Sequence, residues 1–131
     1  ERAVASAQLA CGLGLFNWRA IAKRLMDRAE QAAVELSDPT IHSHVATLDA
    51  LWHLGHCDWA MVDYRLDQAQ ALALKAGDQL RWCNAQGIRF WSLYYRGDQS
   101  ALEPAALASR AGAASRAPPR AGSRPSRASR W

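Results

Sequence analysis

A six-residue pattern occurs twice in this chain, as Leu13-Gly14-Leu15-Phe16-Asn17-Trp18 and as Leu54-Gly55-His56-Cys57-Asp58-Trp59. Written LGxx[N/D]W, each copy predicts a Gly stop, a short turn, an Asn or Asp cap and a Trp in the first turn of the next helix. The text after the copies also matches: Arg24-Leu25 precedes Arg65-Leu66 by 41 positions, and Asp38 precedes Asp78 by 40. A third, weaker copy begins at Arg96-Gly97-Asp98 without the Trp. Repeated helix–turn–helix punctuation of this kind constrains the chain to a stack of helix pairs, each burying its stripe against its neighbours.

Apolar periodicity fills in the helices. Residues 1–12 place Val4, Ala7 and Cys11 on one face, with Gly12 and Gly14 as the expected stop. The second helix, about 18–36, carries Trp18, Ile21, Ala22, Leu25, Ala29, Ala32 and Leu36, and its outer face is charged through Arg19, Lys23, Arg28, Glu30 and Glu35. Ser37-Asp38-Pro39 ends it, because Pro disfavours a helical residue before it and suits a helix start. The third helix, about 40–54, buries Ile41, Val45, Leu48, Leu51 and Trp52; the fourth, about 59–76, buries Trp59, Val62, Leu66, Ala69, Ala73 and Ala76. The fifth, about 79–96, turns Leu80, Cys83, Ile88, Trp91, Leu93 and Tyr94 inward, and Gly87 in its middle predicts a close helix crossing. A sixth helix should start near Asp98, with Pro104 kinking it or delaying its start. No segment alternates with period two, so no β structure is expected.

The expected organisation is a helical repeat domain over 1–108, about three pairs with the last incomplete, followed by a tail. Residues 109–131 hold only Ser, Arg, Ala, Gly, Pro and a final Trp, a composition that predicts disorder. Three readings of this tail stand: a solvated end without a role, a frame-shifted end, or an Arg arm for acidic partners. The formal net charge of +4 belongs to it, since six Arg fall there and the body before it carries ten basic residues against twelve acidic, a net of −2. A nucleic-acid face on the body is therefore unsupported. The chain opens at Glu1 inside a helical pattern, and is expected to be cut from something longer. The odd number of cysteines, Cys11, Cys57 and Cys83, without a CxxC pair, points to reduced thiols and the cytosol.

Catalytic and metal chemistry finds little footing. His42, His44, His53, His56, Cys57 and Asp58 are zinc-ligand types, yet His42 and His53 would stand about 16 Å apart on one helix. No GxSxG occurs, the GxG at Gly12–Gly14 follows a helix rather than a strand, and Asp63 and Asp67 belong to a solvated helix face. No cofactor, no metal and no enzymatic activity are expected. The aromatics carry more. Trp18 and Trp59 occupy equivalent repeat positions and are expected to wedge between adjacent pairs, a Trp59→Ala change then costing about 3 to 5 kcal/mol. The run Arg89, Phe90, Trp91, Tyr94, Tyr95, Arg96 has aromatics on more than one helix face, so part of it is exposed, packs a further repeat, or forms a binding surface.

With the hexad and the period in place, LGHCDWAMVDYRLDQAQALALKAGD and YYRGDQSAL resemble tetratricopeptide-type repeats, with small positions Ala69 and Ala73 where that family packs its helices closely. The period here is nearer 40 than the family's 34 residues. Long repeats of this sort resemble the helical regions of large bacterial LuxR-type and maltose-regulator-type transcription regulators and of ATPase-coupled nucleotide cyclases, and GDQLRWCNAQGIRFWSLYYRGDQSALEPAALASRAG is similar to a recurring segment of those proteins. The resemblance implies an all-α fold, an α-solenoid of antiparallel helix pairs whose concave side, lined by the first helix of each pair, binds a protein or a small effector. Carried onto this chain it nominates His44, Thr47 and Leu51, and Arg81, Asn84 and Arg89, while Gly14, Trp18, Gly55, Trp59 and Gly97 are the structural repeat positions. The expected function is a non-catalytic scaffold for protein interaction or effector sensing inside a larger cytoplasmic bacterial regulator. The alternative is a nucleic-acid-associated module using the Arg tail for backbone contacts. No membrane partner is expected, and uncapped stack ends predict self-association.

Overall fold

The computed structural model describes residues 2–15 and 18–114, and these form six α-helices and no strand. They are α1 (Arg2–Leu15), α2 (Arg19–Leu36), α3 (Pro39–Leu54), α4 (Trp59–Ala76), α5 (Gln79–Arg96) and α6 (Gln99–Ala114). Asn17 and the tail from 115 onward, to which a cap and disorder were assigned above, lie outside the described residues. The stretch 109–114 is helical, contrary to the expectation of disorder from Ser109; its Ala-rich sequence is a good helix former that simply prolongs α6. Pro104 lies inside α6, which begins at Gln99 without delay.

The turns are built by Asp and Gly. Asp38 accepts from the amides of Thr40 (2.8 Å) and Ile41 (3.3 Å) with Pro39 opening α3; Asp58 accepts from Met61, Asp78 from Arg81 and Asp98 from Ala101. Gly77 (φ +66°) and Gly97 (φ +72°) end α4 and α5 in the left-handed conformation that glycine tolerates. The hexads behave differently. Gly14 is inside α1 rather than a stop, and a Cβ there would stand 3.1 Å from Cδ1 of Trp52, so its function is close packing of α1 on α3. Gly55 keeps right-handed helical angles (φ −63°), and the positive φ of that turn falls on Cys57 (φ +58°). Trp18 is the residue before α2 and provides no side-chain cap.

Helices pack within the pairs α1·α2, α3·α4 and α5·α6, between first helices α1·α3 and α3·α5, and through α2·α3 and α4·α5; among the described residues α2 does not pack on α4, nor α4 on α6. α3 therefore lies at the centre. It joins one cluster with Ala3, Ala7, Met26, Ala29 and Ala33, and a second with Val62, Leu66, Ala69 and Ala85. These seams are mostly alanine, which lets the helix axes approach closely. The middle of the expected α4 stripe, Val62, Leu66, Ala69 and Ala73, is buried, while its ends Trp59 and Ala76 are only half-buried.

Elsewhere the largest apolar side chains are displaced outward. In α1 the fully buried positions are Ala3, Ala7 and Ala10, with Val4 only half-buried, a face rotated by one residue. In α2, Ala22, Met26, Ala29 and Ala33 are buried while Trp18, Ile21 and Leu36 are exposed, so Trp18 is not a wedge between pairs. In α5, Ala85, Gln86 and Ser92 are buried and Leu80, Trp91 and Tyr94 are exposed. The common cause is that a close seam accepts the smallest residues, and bulk must lie beside it.

Gly87 is not at a crossing either, since a Cβ there would meet nothing within 4 Å. Gly87→Ala should therefore stabilise the fold by about 1 kcal/mol, the ordinary helix-interior difference, read as a higher urea midpoint. A close crossing would reverse the sign.

Candidate functional site

The six nominated concave positions do not form one surface. His44 (α3) and Arg81 (α5) meet, the guanidinium Nη1 lying 2.8 Å from His44 Nδ1. Burial, and then the Arg81 charge, push the His44 imidazole below its usual value, which keeps it a neutral acceptor for Arg81. Thr47 is buried and donates its hydroxyl to the Ser43 carbonyl at 2.8 Å, so it is unavailable to a ligand. Arg89 turns to α4, where it pairs with Asp67 and Gln70. Leu51 and Asn84 are exposed.

Asp63 and Asp67 are likewise not a merely solvated pair. Arg96 grips Asp63 with two bonds of 2.7 and 2.9 Å, and Arg89 holds Asp67. Glu30, assigned to the outer face of α2, is half-buried and bidentate on Arg65, whose Nε also lies 2.6 Å from the buried Asp49. Burial raises the Asp49 carboxyl above its ordinary range, opposed by Arg65 and His53. These pairs tie neighbouring helix pairs together.

The four histidines each face a different partner: His42 lies near Gln68, His44 near Arg81, His53 near Asp49 and Asp58, and His56 near the Trp52 carbonyl. Among the described residues, no three His, Cys, Asp or Glu side chains are grouped to hold a metal ion. No helix is long and apolar enough, among the same residues, to cross a membrane.

Two surfaces remain. The first is the outer face of α5, where Leu80, Asn84, Trp91 and Tyr94 follow one another at spacings of four, seven and three, with Tyr95 beside them. Trp91 is 51%, Tyr94 57% and Tyr95 63% exposed, yet the three rings pack on one another, Trp91 stacking on Tyr95 with centroids 6.0 Å apart. The second is a groove of about 870 Å³ across the C-terminal ends of α1, α3 and α5 and the start of α2 and α4. Leu51, Trp52, Leu54 and Trp59 form its apolar wall, with Gly14 packed on Trp52 and open space beside Gly12, and Tyr95 joins it to the aromatic face. Trp59, expected as a wedge, is half-buried here and lies 5.5 Å beneath the Arg96 guanidinium. The groove was not foreseen, because only Leu51 of its wall was nominated for binding.

Cys11 and Cys57 both line the groove but differ chemically. Cys11 donates to the Leu48 carbonyl at 3.2 Å, and burial, aided by Asp49, pushes its thiol up to about 11; Cys57 is exposed. Limited alkylation with iodoacetamide at neutral pH should label Cys57 well ahead of Cys11, read by peptide mass spectrometry. Equal labelling would contradict the placement of Cys11.

Comparison with known proteins returns nothing: no family model, no curated protein and no solved structure matches this chain.

Proposed function

We propose that the chain is a non-catalytic helical-repeat scaffold, an α-solenoid of antiparallel pairs of about 40 residues like the tetratricopeptide repeats it resembles. It serves protein interaction or effector sensing within a larger cytoplasmic bacterial signalling or transcription regulator. The pattern of packing supports this reading, since each first helix touches the next first helix while second helices do not touch one another. Three free cysteines are in keeping with the reducing cytoplasm.

The observation that carries the proposal is the exposed aromatic face of α5. Trp and Tyr supply large rigid contact area and are enriched where partners bind, and three such rings side by side exceed what scattered surface residues explain. A random peptide library panned against the chain should yield binders whose affinity falls at least about tenfold on Trp91→Gln or Tyr95→Gln, as hot-spot truncations do. Failure to enrich any sequence, or binders indifferent to both substitutions, would contradict it.

A further inference from the structure

We propose that the groove at the ends of α1, α3 and α5 is a binding site for a small amphipathic carboxylate, its apolar body on Trp52, Trp59 and Leu51 and its carboxylate on Arg19. The inference rests on the effector-sensing half of the reading above and names the class of effector.

Size comes first. The groove's 870 Å³ falls in the range of about 300 to 1,000 Å³ typical of small-ligand sites, and Gly12 leaves open space on the α1 side. The wall then selects chemistry. Two Trp and two Leu side chains favour an apolar body, and no Asp or Glu lines the groove among the described residues. A sugar would need a dense set of polar partners that this wall does not offer.

Charge decides the head group. Among the described residues Arg19 is the only Lys or Arg lining the groove, is exposed, and makes no ion pair. Its situation contrasts with that of nearby cations: Lys23 is taken by Asp27 at 3.1 Å, and Arg65 by Glu30 and Asp49. Arg19 also borders a smaller cavity shared with Asp27, Asp49 and Asp58, but those acids are engaged by Lys23, Arg65 and His53. A guanidinium left free beside an apolar wall suits a carboxylate, which it can grip with two parallel bonds, and repels a cationic head.

The test is isothermal titration with decanoate, kept below micelle formation, at a pH of about 8. One molecule of decanoate should bind per chain, and decanol, with the same body and no charge, should bind at least about tenfold more weakly, the scale of one charged hydrogen bond. Arg19→Gln removes an exposed side chain that makes no ion pair with the described residues, so it should leave the thermal midpoint unchanged. It should lower decanoate affinity to that of decanol and leave decanol untouched. The proposal is overturned if decanoate gives no saturable heat, if decanol binds equally well, or if Arg19→Gln binds decanoate like the parent. Peptide binding to the α5 face, measured on the same sample, separates the two readings. Retained peptide binding with no decanoate binding sinks only the groove site; loss of both sinks the scaffold reading as well.

Discussion

Replacing Arg65 with Ala is expected to destabilise the fold by about 3 to 5 kcal/mol, because it strips the counter-charge from a buried carboxylate. Asp49 has a side chain only 8% exposed, 2.6 Å from Arg65 Nε, and Glu30 of α2 closes the other side of the same guanidinium. One arginine thus joins α2, α3 and α4, and α2 and α4 have no other packing between them. The loss should depend on pH. Burial raises Asp49 above its ordinary value of 3.8, so the native state holds that proton more tightly than the unfolded chain. Asp49 therefore favours folding most below 3.8, and its contribution falls as pH rises towards the raised native value. Without Arg65 that fall should steepen. Urea unfolding of the parent and of Arg65→Ala should differ most near neutrality and least in acid, where Asp49 is protonated in both. A neutral-pH loss below about 1 kcal/mol, the scale of an exposed pair, would mean that the cluster is solvated.

Truncating Leu66 to Ala should cost about 2 to 5 kcal/mol, the range for removing a buried aliphatic side chain and leaving a cavity. Leu66 is the largest fully buried side chain, set among Ala46, Ala50, Ala69 and Ala85. Alanine makes up most of this cluster, while Val62, Leu54 and Ile88 are the larger side chains that can relax toward the void. Leu107→Ala on α6, where the side chain is 57% exposed, serves as the control and should change the urea midpoint little. Similar losses at both positions would show that the α3·α4 seam is not the core.

The sequence made the helices and most of their ends legible, because Asp caps and left-handed glycines act locally: Asp38, Asp58, Asp78 and Gly97 do in the structure what their positions announce. The faces were harder. Apolar periodicity weights Trp18, Ile21, Leu80 and Trp91 by size, whereas the close seams admit alanine and push those residues aside. The middle of α4 was legible because its large residues, Val62 and Leu66, share a face with Ala69 and Ala73, whereas Trp59 and Ala76 at its ends are only half-buried. The charged network was missed for a related reason: Glu30, Asp49 and Arg65 are distant in sequence, and each looks like an ordinary surface residue of its own helix. Of the candidate site, the α5 aromatics were visible as a cluster too rich for one face. The groove was not, because its wall comes from helix ends brought together only by packing.

The role proposed for the aromatic face of α5 requires that Trp91 and Tyr95 lie outside the core. Its most direct test is urea unfolding of the double variant Trp91→Gln, Tyr95→Gln, followed by circular dichroism. A cooperative transition within about 1 kcal/mol of the parent is expected, since both rings are more than half exposed and Gln is a good helix former. A loss of several kcal/mol, on the scale of about 3 to 5 for burying and then removing an aromatic ring, would show that these rings hold the fold together and leave no surface to bind with.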